Sequence, residues 1–211
     1  MKTSPQKRSS DFLKKHRGAL FSCILLSFFI FLMVYALKKQ PNFIPSQLYQ
    51  KEAPMFETPA FHGEHLSLQQ EISNYPVWTV LSFWTSACYI CRKETTSLNA
   101  FYRTMVQQPN KKFNFISINI QDSKDIIRHW VEDLSIVYPI AMDLKGKISL
   151  DYGVTGTPEH FIIDPHKKVR FRFAGSFDFT KLDDFIHWLE ANPHVSEEQA
   201  LNQSLSLGVL H

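Results

Sequence analysis

Only three cysteines and seven glycines occur in 211 residues, which excludes a disulfide-stapled scaffold and glycine-rich collagenous or low-complexity chains. No segment repeats, so solenoids and propellers are excluded too. A broad surplus of one charge is also missing. The formal balance of +3 arises in a short leader where Lys2, Lys7, Arg8, Lys14, Lys15 and Arg17 face one acid, Asp11; the remainder carries 17 basic and 19 acidic residues. A nucleic-acid-binding face rests on many phosphate contacts, so nucleic acid is excluded as a partner. What the chain does have is 44% hydrophobic residues, enough for one folded domain.

One long apolar run stands out. Residues 19–37 contain no charged side chain, and as a helix they would span about 28 Å, close to the hydrocarbon thickness of a bilayer. A cleaved signal peptide needs a shorter apolar region and a small-x-small exit, whereas this run leaves through Tyr35, Ala36, Leu37 and Lys38. It therefore reads as an uncleaved transmembrane helix. Cys23 lies near its start, where a lipoprotein cysteine would lie at its end, and reads as a small lipid-buried side chain. Six basic residues precede the run and only Lys38, Lys39 and Lys51 follow closely, which predicts a cytoplasmic amino terminus in the bacterial inner membrane and a periplasmic domain. The expected layout is a basic leader over residues 1–18, the span over 19–37, a proline-bearing linker over 38–54, a domain over 55–191 and a polar tail over 192–211, either frayed or a weak extra helix from residue 195.

Within the domain, residues 77–83 and 113–119 read as buried strands from their β-branched and aromatic content. Leu98, Phe101, Tyr102 and Met105 recur at helical spacing between them. A second helical period runs through Ile126, Ile127, Trp130, Val131 and Leu134, with Ser123 or Asp122 as cap. Residues 159–163 and 168–173 read as two strands joined by a turn at Asp164-Pro165-His166-Lys167, and a last helix begins at Thr180. The order βαβα then ββα predicts an α/β fold with a mixed central sheet and helices on both faces.

Cys88-Tyr89-Ile90-Cys91 follows the first strand and opens the next helix, the context that makes a C-x-x-C pair a redox motif. Unpaired N–H groups at a helix amino terminus favour negative charge, so Cys88 is expected to ionise below the free-thiol value of about 8.5, with Arg92 and Lys93 adding to the effect. Cys88 is the expected nucleophile. Cys91 lies one turn deeper, about 5–6 Å away, within reach of a disulfide, and is expected to resolve the mixed disulfide. A zinc site lacks a second C-x-x-C to complete four ligands. A Cu(I) metallochaperone using Cys88, Cys91 and His160 is the competing reading of a different class.

Two blocks carry a resemblance. Phe83-Trp84-x-x-x-Cys88-x-x-Cys91-Arg92-x-Glu94 and Gly153-Val154-x-Gly156-x-Pro158-Glu159-x-Phe161-x-Ile163-Asp164 resemble the paired signatures of the membrane-anchored thioredoxin-like proteins of cytochrome c maturation, the DsbE/CcmG type within the TlpA/ResA-like group. Ala53-Pro54-x-Phe56 and His62-Gly63-x-x-Leu66-Ser67-Leu68 are similar to that family's opening segment. The resemblance implies a thioredoxin-like fold, a cis Thr157–Pro158 peptide facing the disulfide, and reduction of disulfides in apocytochrome c or its maturation partners. It also implies a membrane reductase as electron donor, with no cofactor and no bound metal. Glu94 and Glu159 fall where the family carries acids near the thiols and are expected to accept the proton of Cys91. Trp84, Tyr89 and the Thr157 backbone are expected to border the bound substrate. Tyr89-Ile90 and Ala87 depart from the family pattern beside the reactive sulfurs, where they bear on reduction potential and partner choice.

Overall fold

A computed structural model describes residues 17–38, 45–109 and 111–210. The first helix among the described residues, α1 (Arg17–Lys38), is 22 residues long and belongs to the first of two compact units. The side chains described on it, those of Gly18 and residues 21–35, are all exposed. The expected span over residues 19–37 falls on this helix; among the described residues no helix is long and apolar enough to cross a membrane. Most of the expected leader lies outside the described residues.

The second unit begins at Pro45. A two-stranded ribbon, β1 (Glu57–Pro59) and β2 (His65–Ser67), leads through the Ser67 cap into α2 (Leu68–Asn74). The central sheet consists of β3 (Trp78–Trp84), β4 (Phe113–Ile120), β5 (Ile140–Asp143), β6 (Glu159–Ile163) and β7 (Val169–Ala174), in the order β5-β4-β3-β6-β7. The first three are parallel neighbours, while β6 and β7 run antiparallel. Parallel pairing requires crossovers, supplied by α3 (Tyr89–Phe101), which continues into a π-type turn at Tyr102–Val106, and by α4 (Lys124–Leu134). After β5 comes the short α5 (Lys147–Tyr152), and after β7 a 3-10 turn at Phe179–Lys181, α6 (Leu182–Ala191) and α7 (Glu197–Ser206).

Strand alternation divides the interior into two layers. Trp78, Val80 and Trp84 of β3 pack with Leu98 and Phe101 of α3, Trp130 of α4 and Phe185 of α6. Leu81 and Phe83 of the same strand face the other way, against Ile72 of α2 and Tyr152 of α5. Phe161 is fully buried on this second side, edge-on to Phe83 at 5.6 Å and Tyr152 at 5.0 Å. Each such side chain contributes about 1.5–3 kcal/mol on burial. The mixed sheet with helices on both faces is as expected. The strands β1, β2 and β5 and the helices α2 and α5 are additions to the expected order.

Residues 45–54, the described part of the expected 38–54 linker apart from Lys38, meet the start of β7: Gln50 N–H donates to Val169 at 2.8 Å and Ala53 N–H to Lys167 at 2.8 Å. The polar tail folds as α7, begun by a reciprocal capping box between Ser196 and Gln199 and seated on buried Ala200 and Ser204. The Glu197 carboxylate of α7 accepts from Ser46 N–H at 2.9 and 3.1 Å. Its burial raises the carboxyl above the ordinary 4.5, against the Ser46 bond and the Arg172 charge, which lower it. An acid whose folded value is raised stabilises the fold below its unfolded value and gives that contribution up as pH rises through the folded value. Glu197→Gln is therefore expected to gain stability relative to wild type between about pH 4 and about pH 7; urea midpoints at the two ends measure it, and a constant difference contradicts it.

Candidate active site

Cys88 is the N-cap of α3, with extended backbone at φ −86° and ψ 106°. It is bonded to Cys91, with the two Cα atoms 5.3 Å apart. The Cys91 N–H also points at the Cys88 sulfur at 3.0 Å. An amide aimed at that sulfur from the positive end of a helix favours its thiolate when the bond opens. Accessibility separates the two sulfurs: Cys88 is half-buried, whereas Cys91 is 4% exposed within the first core layer. Of the expected cationic helpers, Arg92 is drawn to Asp133 at 3.3 Å and over the Trp130 ring, while Lys93 lies over Tyr89 at 4.7 Å. The helix terminus thus carries the electrostatic argument. Tyr89 and Ile90 are 69% and 47% exposed, an apolar edge beside Cys88.

The loop that delivers Cys88 is held by residues distant in sequence. Asp122 accepts from Ser86 N–H and from Ser86 Oγ, both at 2.7 Å, and from Asn119 Nδ2 at 2.7 Å. Ser123, not Asp122, caps α4. Spacing alone could not reveal this clamp, because it joins segments 36 residues apart. Beneath the loop, Trp84 is buried, stacked on Trp130 at 4.9 Å and donating from Nε1 to Ser117 at 3.1 Å. Removing the clamp with Asp122→Ala is expected to cost about 1–3 kcal/mol and to slow attack by Cys88. Urea unfolding and the rate of mixed-disulfide formation measure the two effects, and wild-type values for both would contradict the clamp.

The Thr157–Pro158 peptide is cis. Glu159 is in register with Phe83 at the carboxyl end of β3, so Pro158 stands where β3 runs out toward Cys88. Pro158 is buried, Thr157 is half-buried, and the Pro158 carbonyl accepts from Gly175 N–H at 2.8 Å. Glu159 is fully buried and paired with Arg172 through Nε; its other oxygen accepts from Thr155 N–H at 2.9 Å. Strand parity puts Glu159 on the side of Phe161 and Ile163, the layer opposite α3. Its carboxylate thus braces the turn before Pro158 through Arg172 and Thr155.

Glu94 stands on the dithiol side of the sheet. It lies on the buried face of α3 one turn beyond Cys91 and is 4% exposed. One oxygen accepts from Phe177 N–H at 2.8 Å, and the other is 3.3 Å from His160 Nε2. That contact is close but not aligned as a hydrogen bond, and neither ring nitrogen of the fully buried His160 has a hydrogen-bond partner among the described residues. The copper reading needed His160 with the cysteines. The ring addresses Glu94 instead, and among the described residues no three His, Cys, Asp or Glu side chains gather as a metal site.

A strand, a dithiol helix, a parallel strand, and an antiparallel strand entered through a cis-proline are the parts of a thioredoxin-like thiol–disulfide oxidoreductase, and this is the class of the chain. It belongs to the AhpC/TSA family, whose model matches residues 49–172. It is 26% identical over 160 residues to the thiol:disulfide interchange protein DsbE of Yersinia pestis, covering 75% of this chain and 81% of that one. To DsbE of Xylella fastidiosa it is 27% identical over 180 residues, covering 84% and 85%. Among solved structures, a DsbF homologue from Corynebacterium diphtheriae superposes with a TM-score of 0.58 at 21% identity, over 71% of this chain and 96% of that chain, a likeness of fold.

Proposed function

We propose that this protein is a membrane-anchored, periplasm-facing reductase of protein disulfides, acting on apocytochrome c or its maturation partners. The observation that carries the reading is the half-buried Cys88 at the mouth of α3 with the Cys91 amide on its sulfur. In the reduced protein the Cys88 thiolate attacks one sulfur of a partner disulfide, and the partner's other sulfur leaves as a thiolate. The Cys91 sulfur then bonds to Cys88 and expels the partner's second thiolate. Two electrons pass to the partner, its thiolates take up protons from solvent, and a membrane reductase restores the dithiol.

Thr157 and Pro158 supply an edge to which an extended substrate can add as a strand. Tyr89, exposed beside Cys88, offers the substrate an apolar face, and Trp84 supports the loop from below. Anchoring rests on the uncharged run 19–37 and on the exposed apolar side chains around α1, Phe21, Phe28 and Phe29 among them. The basic leader holds the amino terminus inside. A Cys91→Ser trap identifies the clients: recovery of apocytochrome or of a maturation factor as a mixed disulfide on Cys88 is the expected result. A spread of unrelated exported proteins would instead make this a general reductase without a haem link.

A further inference from the structure

His160 is an imidazole inside an aromatic box. Its ring stacks on Phe173 at 4.7 Å, meets Phe179 edge-on at 5.4 Å and Phe177 at 6.1 Å, and has no exposed surface. A phenyl ring would fill this space without desolvating two ring nitrogens, which costs about 1–3 kcal/mol when a polar group is left unbonded. Packing alone therefore gives histidine no advantage here. Its Nε2 lies 3.3 Å from Glu94 Oε2, and Glu94 in turn shares the buried face of α3 with Cys91. Residues three apart on a helix stand about 5–6 Å apart between Cβ atoms. Register places His160 opposite Ser82 on the same side of the sheet as α3.

We propose that Glu94 and His160 form one buried proton-holding pair serving Cys91, with His160 as a positioning residue that acts through Glu94. This deepens the oxidoreductase reading and rests on it. In the resolving step Cys91 loses its proton to the Glu94 carboxylate. The freed sulfur lone pair forms the Cys91–Cys88 bond, the bond from Cys88 to the partner breaks, and the partner sulfur departs as a thiolate that solvent protonates. His160, 3.3 Å from Glu94 Oε2, acts through space on the charge that Glu94 gains and loses and packs the carboxylate in place beside α3. Among the described residues, Cys91 precedes Glu94 by one turn on the buried face of α3, and the Tyr138 phenol ahead of β5 feels the Glu94 charge, which with burial keeps it protonated. β7 and the segment after it contribute Phe173, Phe177 and Phe179, while Asp178 turns to Thr180.

The test uses the full-length pre-reduced protein in detergent, with a peptide disulfide as oxidant, in single-turnover measurements across pH. His160→Phe is expected to slow the resolving step about tenfold near neutral pH and to displace its pH profile by about one unit toward alkali. Alkylation of Cys88 should keep its wild-type rate. Glu94→Gln should slow the same step, and the double variant should be no slower than the slower single variant, because the two act as a unit. A His160→Phe profile overlaying wild type, or effects that multiply, would overturn the pair. Should that variant not fold, His160→Gln takes its place. Nitrogen NMR of His160 in the wild-type protein decides independently: its shifts at one pH should report different protonation in the oxidised and reduced forms, and identical shifts would refute the proposal. Absence of any exchange by the wild type would instead sink the oxidoreductase reading itself.

Discussion

Cys88→Ser is expected to abolish disulfide exchange, a loss of about a thousandfold or more, whereas Cys91→Ser should keep the first attack and lose only release. The asymmetry follows from burial. Cys91 is 4% exposed and closed over by the core layer, so a partner sulfur reaches only Cys88. A serine hydroxyl at the N-cap still caps α3, so the first variant should fold normally and its loss belongs to the sulfur. Reduction of a peptide disulfide measures the loss, and non-reducing electrophoresis shows the adducts of the second variant. Residual exchange by Cys88→Ser near the wild-type rate would move the nucleophile to Cys91 and contradict the order of steps.

The second large effect is on stability. Arg172→Ala should destabilise the domain by about 3–5 kcal/mol, because it leaves the Glu159 carboxylate buried without its cation. Both side chains are nearly closed to solvent, at 6% and 0% exposure, and Arg172 also donates from Nη2 to Thr155 Oγ1 at 2.9 Å. The same substitution therefore frees the turn leading into Pro158, and exchange should fall with stability. Replacing both partners together, Glu159→Leu with Arg172→Met, should cost less than Arg172→Ala alone, since no uncompensated charge remains. Urea unfolding of the three proteins tests this. A Glu159→Gln variant with wild-type stability and strongly reduced exchange would instead return Glu159 to the chemistry.

Much of this arrangement could be read from residue order, for identifiable reasons. The dithiol sits between a β-branched strand and an amphipathic helix, and both signals are local. The turn at Asp164 is likewise local: its Oδ1 accepts from His166 and Lys168 N–H, both at 2.9 Å. β5 was not legible, because Ile140–Asp143 is four residues long and buried throughout, with no alternation to mark it. The seven-residue α2 and six-residue α5 are too short for a helical period. The roles of Glu159 and His160 depended on which side of β6 receives α3. All five residues of that strand are buried, so hydrophobic patterning carries no information about parity, and only the tertiary packing separates the brace from the proton pair. The Asp122 clamp was hidden for a related reason: its partner, Ser86, comes to it only once β3 and β4 are paired.

The account turns on Cys88 being unusually acidic because the fold sets it at the mouth of α3. Alkylation of reduced Cys91→Ser protein across pH, with the adduct on Cys88 quantified by mass spectrometry so that Cys23 is counted separately, tests this directly. Half-maximal reactivity well below the free-thiol value of about 8.5 is the predicted result. A midpoint at that value, with peptide disulfides left intact by the wild-type protein, would contradict it.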